Sequence, residues 1–270
     1  MAKRLIYLIS DHTGITVETM GRALLSQFEQ LEYELVRWPF IDSMEKARGA
    51  ADRIRRTGRD SALPPIVFST LVDPAIRACF KGIGALVFDF FESFTSRLEE
   101  ELEHKSTPIH GQRHGLVNRR AYDERIQAVN FALANDDGAT TKNYPAADLI
   151  LIGVSRCGKT PSCLFLGLQQ GILAANYPLT EEDLLQDRLP APLQGFREKL
   201  IGLTIDAQQL HRIRQERRPN SRYASLEQCR REVRLVESLF RDQQIPFLNT
   251  TAMSIEEIAT RLLQRLKPQS

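Results

Sequence analysis

Apolar positions along this chain fall into two rhythms: short unbroken runs, and longer stretches spaced at three and four residues. Leu5-Ile6-Tyr7-Leu8-Ile9 is unbroken and ends in Ser10-Asp11. An apolar residue at every position, rather than every second one, predicts a strand covered on both faces, as in a parallel sheet. Val17 to Phe28 then carries apolar residues at helical spacing, and a second strand is expected over Glu34 to Trp38. Ser43 can cap a helix running to about Thr57. Pro65-Ile66-Val67-Phe68-Ser69 reads as a third strand, and Asp73-Pro74 as the opening of a helix with proline in its first turn. Leu86 to Phe90 reads as a fourth strand, and Glu92 to Lys105 as a charged helix.

Residues 106–118 interrupt this pattern with Pro108, Gly111 and Gly115, and a helix is expected from Arg119 to Ala134, stopped by Asn135-Asp136-Asp137-Gly138. A second alternation begins at Asp148. Leu149-Ile150-Leu151-Ile152 is the most apolar strand in the chain, and a helix from Pro161 to Gly171 follows it closely. Leu200 to Ile205 is a further strand ending at Asp206. Helices over Ala207–Arg217 and Leu226–Gln243, a short strand at Pro246–Leu248 and a helix over Ile255–Leu266 complete the reading. Strands alternating with helices predict an α/β fold with parallel sheets. The expected organisation is an N-terminal parallel-sheet α/β unit (1–105), a linker loop and connecting helix (106–147), and a P-loop kinase-like α/β domain (148–270). No internal repeat with a period of roughly 20–50 residues is visible.

Composition adds mostly exclusions. Lys and Arg number 36 against 34 Asp and Glu, a net charge of +2. The molecule as a whole therefore has no strong electrostatic reason to bind nucleic acid or an anionic membrane. No apolar run approaches the ~18 residues of a spanning helix, and no leader with a long apolar stretch opens the chain. Four cysteines without Cys-x-x-Cys spacing read as reduced thiols in a cytoplasmic protein.

The chemistry concentrates after the Leu149–Ile152 strand. Gly153-Val154-Ser155-Arg156-Cys157-Gly158-Lys159-Thr160 fits G-x-x-x-x-G-K-[ST]. Glycines allow a tight loop whose amides turn inward on phosphate oxygens, and the following helix aims its positive end at the same place. Lys159 supplies a point charge to the terminal phosphates, and the Thr160 hydroxyl is positioned for Mg²⁺. Arg156 is either a second phosphate-facing cation or a surface arginine. Cys157 is either a thiol of lowered pKa in a positive loop or a small filler. Asp206, at the end of a strand in the same domain, is either a metal-organising or proton-accepting carboxylate or an N-cap.

Three further groups stand apart. Asp11 and His12 follow the first strand at the edge where α/β sheets place ligands; they serve acid–base work or a cap and turn. His110 and His114 are four apart, but flanking glycines argue against a helical metal pair, and a phosphate-contacting role for Arg113 and His114 is favoured over a metal site. Eight arginines lie between Arg212 and Arg234, mostly as solvated helix surface. Arg217-Arg218-Pro219-Asn220-Ser221-Arg222-Tyr223 reads as a hinge able to fold over a nucleotide.

Several of these motifs together resemble the bacterial phosphoenolpyruvate synthase regulatory proteins, within the wider pyruvate, phosphate dikinase regulatory protein family. The resemblance rests on Ile9-Ser10-Asp11 with Thr13, Ile15 and Thr16, on His114-Gly115-Leu116, on Asp136-Asp137-Gly138, and on the 153–160 loop with Pro161. Ala174-Ala175-Asn176-Tyr177-Pro178, Gly202-Leu203-Thr204-Ile205-Asp206 and Asn220-Ser221-Arg222-Tyr223-Ala224 complete it. It spans nearly the whole chain. It implies a bifunctional serine/threonine kinase and phosphorylase that uses ADP to phosphorylate a threonine of phosphoenolpyruvate synthase. The phosphate is removed by phosphorolysis, releasing pyrophosphate. Gly158-Lys159-Thr160 matches the synthase-directed branch, where dikinase-directed relatives tend to carry Ser-Lys-Thr. His12 stands where relatives vary. A homodimer is also implied. The residues expected to carry the chemistry are Lys159, Asp206, Asp11 and Arg156, with the whole 153–160 loop on the nucleotide and Thr160 and Asp206 on Mg²⁺. A P-loop small-molecule kinase and a non-enzymatic nucleotide sensor are the alternatives.

Overall fold

The computed structural model describes residues 3–61, 63–106, 119–186 and 188–266. The chain divides into two compact units, Met1–Val117 and Asn118–Ser270.

The first unit contains β1 (Arg4–Ser10), α1 (Ile15–Leu25), β2 (Tyr33–Trp38), α2 (Met44–Asp60), β3 (Ile66–Thr70), α3 (Pro74–Ala78), β4 (Leu86–Asp89) and α4 (Phe90–Glu101). The strands are all parallel in the order β2-β1-β3-β4. The unbroken run in β1 is explained by its two faces. Ile6 and Leu8 join Val17 of α1, Phe68 and Phe90 on one side, while Tyr7 and Ile9 join Ala47 and Ile54 of α2 on the other. The helix starts follow the sequence signals. Ser43 accepts from the Lys46 amide at 3.4 Å, and Asp73 from the Ala75 amide at 2.7 Å, just before Pro74.

The second unit contains α5 (Arg119–Ala134), β5 (Leu149–Gly153), α6 (Lys159–Gln170), β6 (Ala174–Pro178), α7 (Glu181–Leu184), β7 (Leu200–Thr204), α8 (Ala207–Arg217), α9 (Leu226–Asp242), β8 (Phe247–Asn249) and α10 (Ile255–Leu266). Its parallel sheet runs β6-β5-β7-β8. β5 is buried at all five positions. The region 106–147, set apart in the sequence reading, contains α5, which packs on α6. A Cβ on Gly167 would come within 3.1 Å of the Ala128 and Val129 backbone, so glycine lets the two helices close.

Both units share one strand order: the first strand is flanked by the second and the third. The direction in which successive strands are added across the sheet therefore reverses between β1 and β3, and between β5 and β7. Doubly wound sheets hold ligands in the crevice at such a reversal, beyond the carboxyl ends of the strands. In the second unit that crevice opens beside the 153–160 loop. β6 had no strand signal, because Ala174-Ala175-Asn176-Tyr177-Pro178 lacks β-branched residues and ends in proline. Its place at the sheet edge tolerates both.

Candidate active site

β5 delivers Gly153 to the turn with φ +153°, a conformation L side chains rarely adopt. A Cβ there would fall 2.2 Å from the Leu203 carbonyl oxygen of β7, so loop and neighbouring strand meet only because the position is glycine. Arg156 and Gly158 also carry positive φ, +79° and +95°. These left-handed turns wrap the loop before α6 starts at Lys159. The Thr250 hydroxyl fastens its outer edge, 3.0 Å from the Cys157 carbonyl and 3.1 Å from that of Thr204. Among the described residues, no protein group accepts a hydrogen bond from the amides of Ser155, Arg156 or Gly158. Those donors and the start of α6 make an anion site of the kind helix N-termini provide.

A cavity of about 680 Å³ opens over this loop. Ser155, Arg156, Gly158, Lys159 and Thr160 line its base. Lys159 is only 4% exposed, and its Nζ donates to the Val154 carbonyl at 2.8 Å. One wall is formed by Asp136 and Asp137, just beyond α5. The Thr160 hydroxyl donates to Asp136 Oδ1 at 2.7 Å, and the fully buried Asn176 donates to the same oxygen through Nδ2 at 2.5 Å. Asn176 Oδ1 in turn accepts the Asp137 amide at 3.0 Å, holding Asp137 at φ +49°. Among the described residues nothing donates to the Asp137 carboxylate or to Asp136 Oδ2. Ile213, Arg217, Arg218 and Tyr223 also line the cavity, so the hinge segment read from the sequence does border the loop. The Tyr223 hydroxyl donates to Ser155 Oγ at 3.0 Å.

The other expected site residues are held by contacts of their own. Asp206 is exposed and caps α8, its Oδ1 accepting the Gln208 and Gln209 amides at 2.8 and 3.1 Å; it does not line the cavity. Asp11 and His12 belong to the first unit. Asp11 is 6% exposed and accepts the Val72 amide at 3.3 Å, with His12 Nδ1 3.7 Å from its other oxygen. Cys157 corrects the idea of an activated thiol. It is buried, and burial pushes its pKa up despite Lys159 nearby. His110, Arg113 and His114 lie outside the described residues. Asp136 and Asp137 were read from the sequence only as a helix stop and a resemblance motif, because the 24-position separation of Asp136 and Thr160 hides their contact. The signal available was Asp-Asp-Gly placed directly after an amphipathic helix.

The profile of the kinase/pyrophosphorylase family matches residues 6–263. This chain belongs to that family. The chain is similar to a protein of Legionella pneumophila (strain Corby) named as a phosphoenolpyruvate synthase regulatory protein. That protein is 53% identical over 261 residues, covering 97% of this chain and 96% of its own length. A protein of the same name from Laribacter hongkongensis (strain HLHK9) is 51% identical over 262 residues, with the same coverage. One from Alkalilimnicola ehrlichii (strain ATCC BAA-1101 / DSM 17681 / MLHE-1) is 49% identical over 266 residues, covering 98% and 97%. Among the described residues no helix is long and apolar enough to cross a membrane.

Proposed function

We propose that this chain is a cytoplasmic, homodimeric regulator of phosphoenolpyruvate synthase that phosphorylates a threonine of that enzyme with ADP and removes the phosphate by phosphorolysis. The observation that carries the reading is one cavity holding both halves of phosphoryl-transfer chemistry: the cationic, amide-rich 153–160 loop and two carboxylates, Asp136 and Asp137. Family membership and the names of relatives about 50% identical along nearly the whole chain support this choice of target.

In the forward direction the loop amides, the start of α6 and Lys159 grip the β-phosphate of ADP. Lys159 exchanges the Val154 carbonyl for a phosphate oxygen, and Arg156 adds a second charge. Asp137, to whose carboxylate nothing donates among the described residues, takes the proton as the threonine Oγ attacks phosphorus. The Oγ–P bond forms, the bond to the α-phosphate oxygen breaks, and AMP leaves. In the removal reaction inorganic phosphate occupies the loop and attacks the phosphothreonine phosphorus. The P–Oγ bond breaks, Asp137 returns a proton to the threonine, and pyrophosphate leaves. One anion site serves both directions because the same amides hold the β-phosphate of ADP in one and inorganic phosphate in the other.

The oxygen donors at this wall fit Mg²⁺, which favours one or two protein ligands plus phosphate oxygens. Among the described residues there is no cluster of three metal-ligating side chains, so phosphates would complete the coordination. Thr160 Oγ1 and Asp136 would hold the ion, which would supply positive charge to the phosphates. Asp136 takes this place in preference to Asp206 because it already touches Thr160, whereas the Asp206 carboxylate holds two α8 amides.

The test combines the purified chain with phosphoenolpyruvate synthase and ADP, ATP or inorganic phosphate. Label from β-labelled ADP should move to the synthase, and phosphate should release it as pyrophosphate. Label appearing in a small solute would favour a metabolite kinase; nucleotide binding without transfer would leave only a sensor.

A further inference from the structure

Behind the loop lies a charged group that the chemistry above does not use. Arg214 sits on α8 with 0% exposure, one helical turn after buried Leu210. Its guanidinium reaches three elements. Nη2 donates to the Ser155 carbonyl at 3.1 Å and to Glu232 Oε2 of α9 at 2.7 Å; Nη1 donates to the Tyr223 carbonyl at 3.0 Å. The guanidinium carbon lies 4.1 Å from the centre of the Tyr223 ring, and the Tyr223 hydroxyl returns to Ser155 Oγ. Gln228 holds the other Glu232 oxygen at 3.0 Å. Burial opposes the Arg214 charge, but Glu232, together with Tyr223 and Cys229, more than offsets it and leaves its pKa raised.

Stability alone explains this arrangement poorly. Apolar side chains can replace a buried ion pair at little or no loss, and here Arg214 Nε is buried with no partner among the described residues. What an apolar replacement cannot do is fix the direction of the Ser155 carbonyl. That carbonyl and the Arg156 amide belong to one planar peptide unit, so holding the oxygen behind the loop turns the amide to the opposite side. The planar fork of arginine suits such a multiple anchor, and lysine does not reproduce it. The same fork ties Tyr223, and with it the segment carrying Arg217 and Arg218, to the loop.

We propose that Arg214, buttressed by Glu232 and Tyr223, is the positioning residue that presets the phosphate loop for anion binding and links it to the hinge segment 217–223. This rests on the reading of the loop as the nucleotide's phosphate site. Arg214 touches neither substrate in this account; it acts through Ser155 and Tyr223.

The test uses the full chain with Arg214→Lys and Tyr223→Phe. The second variant keeps the ring over the guanidinium and removes only the hydroxyl bond to Ser155. The readouts are calorimetric affinity for ADP and pyrophosphate, KM and kcat in both directions, and amide exchange at 155–158. Arg214→Lys should raise KM for ADP and for phosphate together by about tenfold or more, and Tyr223→Phe by about threefold, both with faster loop exchange and unchanged KM for the protein target. A purely structural role lowers the active fraction, and hence kcat, with KM for ADP unmoved; that result overturns the proposal. If Arg214→Lys does not fold, Tyr223→Phe decides, and wild-type KM and loop exchange in that variant overturn it. Failure of the wild-type chain to bind ADP or pyrophosphate would instead sink the phosphate-site reading itself.

Discussion

The Thr160 hydroxyl donates to Asp136 Oδ1 across 2.7 Å, joining the first turn of α6 to the segment that follows α5. Asn176, from edge strand β6, donates to the same oxygen and fixes it from below. Removing that charge with Asp136→Asn should leave the fold intact, because an amide oxygen still accepts both bonds. Transfer in both directions should fall by about 100-fold or more, as for loss of a charge-stabilising group in a phosphoryl-transfer site. Steady-state rates with ADP and with phosphate, at several magnesium concentrations, check this.

Asp206 should behave in the opposite way. Asp206→Ala strips the cap from α8 and should cost about 1 kcal/mol of stability, seen as a lower denaturation midpoint. Activity of the folded protein should stay within about threefold of wild type. A loss matching that of Asp136→Asn would return Asp206 to the chemistry.

Gly153→Ala should be among the most damaging single changes in the second unit. The new Cβ would lie 2.2 Å from the Leu203 carbonyl oxygen, a backbone atom unable to step aside, at a φ foreign to L side chains. A cost of more than ~3 kcal/mol is expected. Thermal unfolding measures it, and a midpoint within a degree of wild type would contradict the packing described.

Two buried thiols set a pH dependence. Burial pushes Cys163 up to about 12, with Asp136 adding to the rise, and Cys157 also lies above its ordinary value. A raised folded pKa means stability fully present below the unfolded thiol value of about 8.5, and lost as pH climbs from there through the folded value. Denaturation midpoints should therefore drop above about pH 8.5, less steeply in Cys163→Ala. At neutral pH iodoacetamide should label half-buried Cys79 well before Cys157, Cys163 and Cys229.

Much of the second unit was legible in the sequence because local signals agreed with one another. The Leu149–Ile152 run, the glycine spacing and the amphipathic stretch after Lys159 each indicate strand, loop and helix in turn, and the structure has β5, the loop and α6 there. The capping serines and aspartates likewise marked helix starts at Ser43 and Asp73. What escaped was set by tertiary contact. β6 is a strand because β5 pairs with it, not because alanine, asparagine and proline prefer one. Asp136 reaches Thr160 only through the packing of α5 on α6. The Asp206 ambiguity, carboxylate for metal or cap for helix, had no resolution in sequence, since both place aspartate at the end of a strand.

The most direct test of a single anion site serving both reactions is Lys159→Met, which keeps the side chain's length and apolar packing while deleting its charge. Rates are measured side by side for ADP-dependent phosphorylation of phosphoenolpyruvate synthase and for phosphate-dependent dephosphorylation of the phosphorylated enzyme. Both should fall together by more than about 100-fold. Phosphorolysis persisting near the wild-type rate while kinase activity disappears would contradict the account.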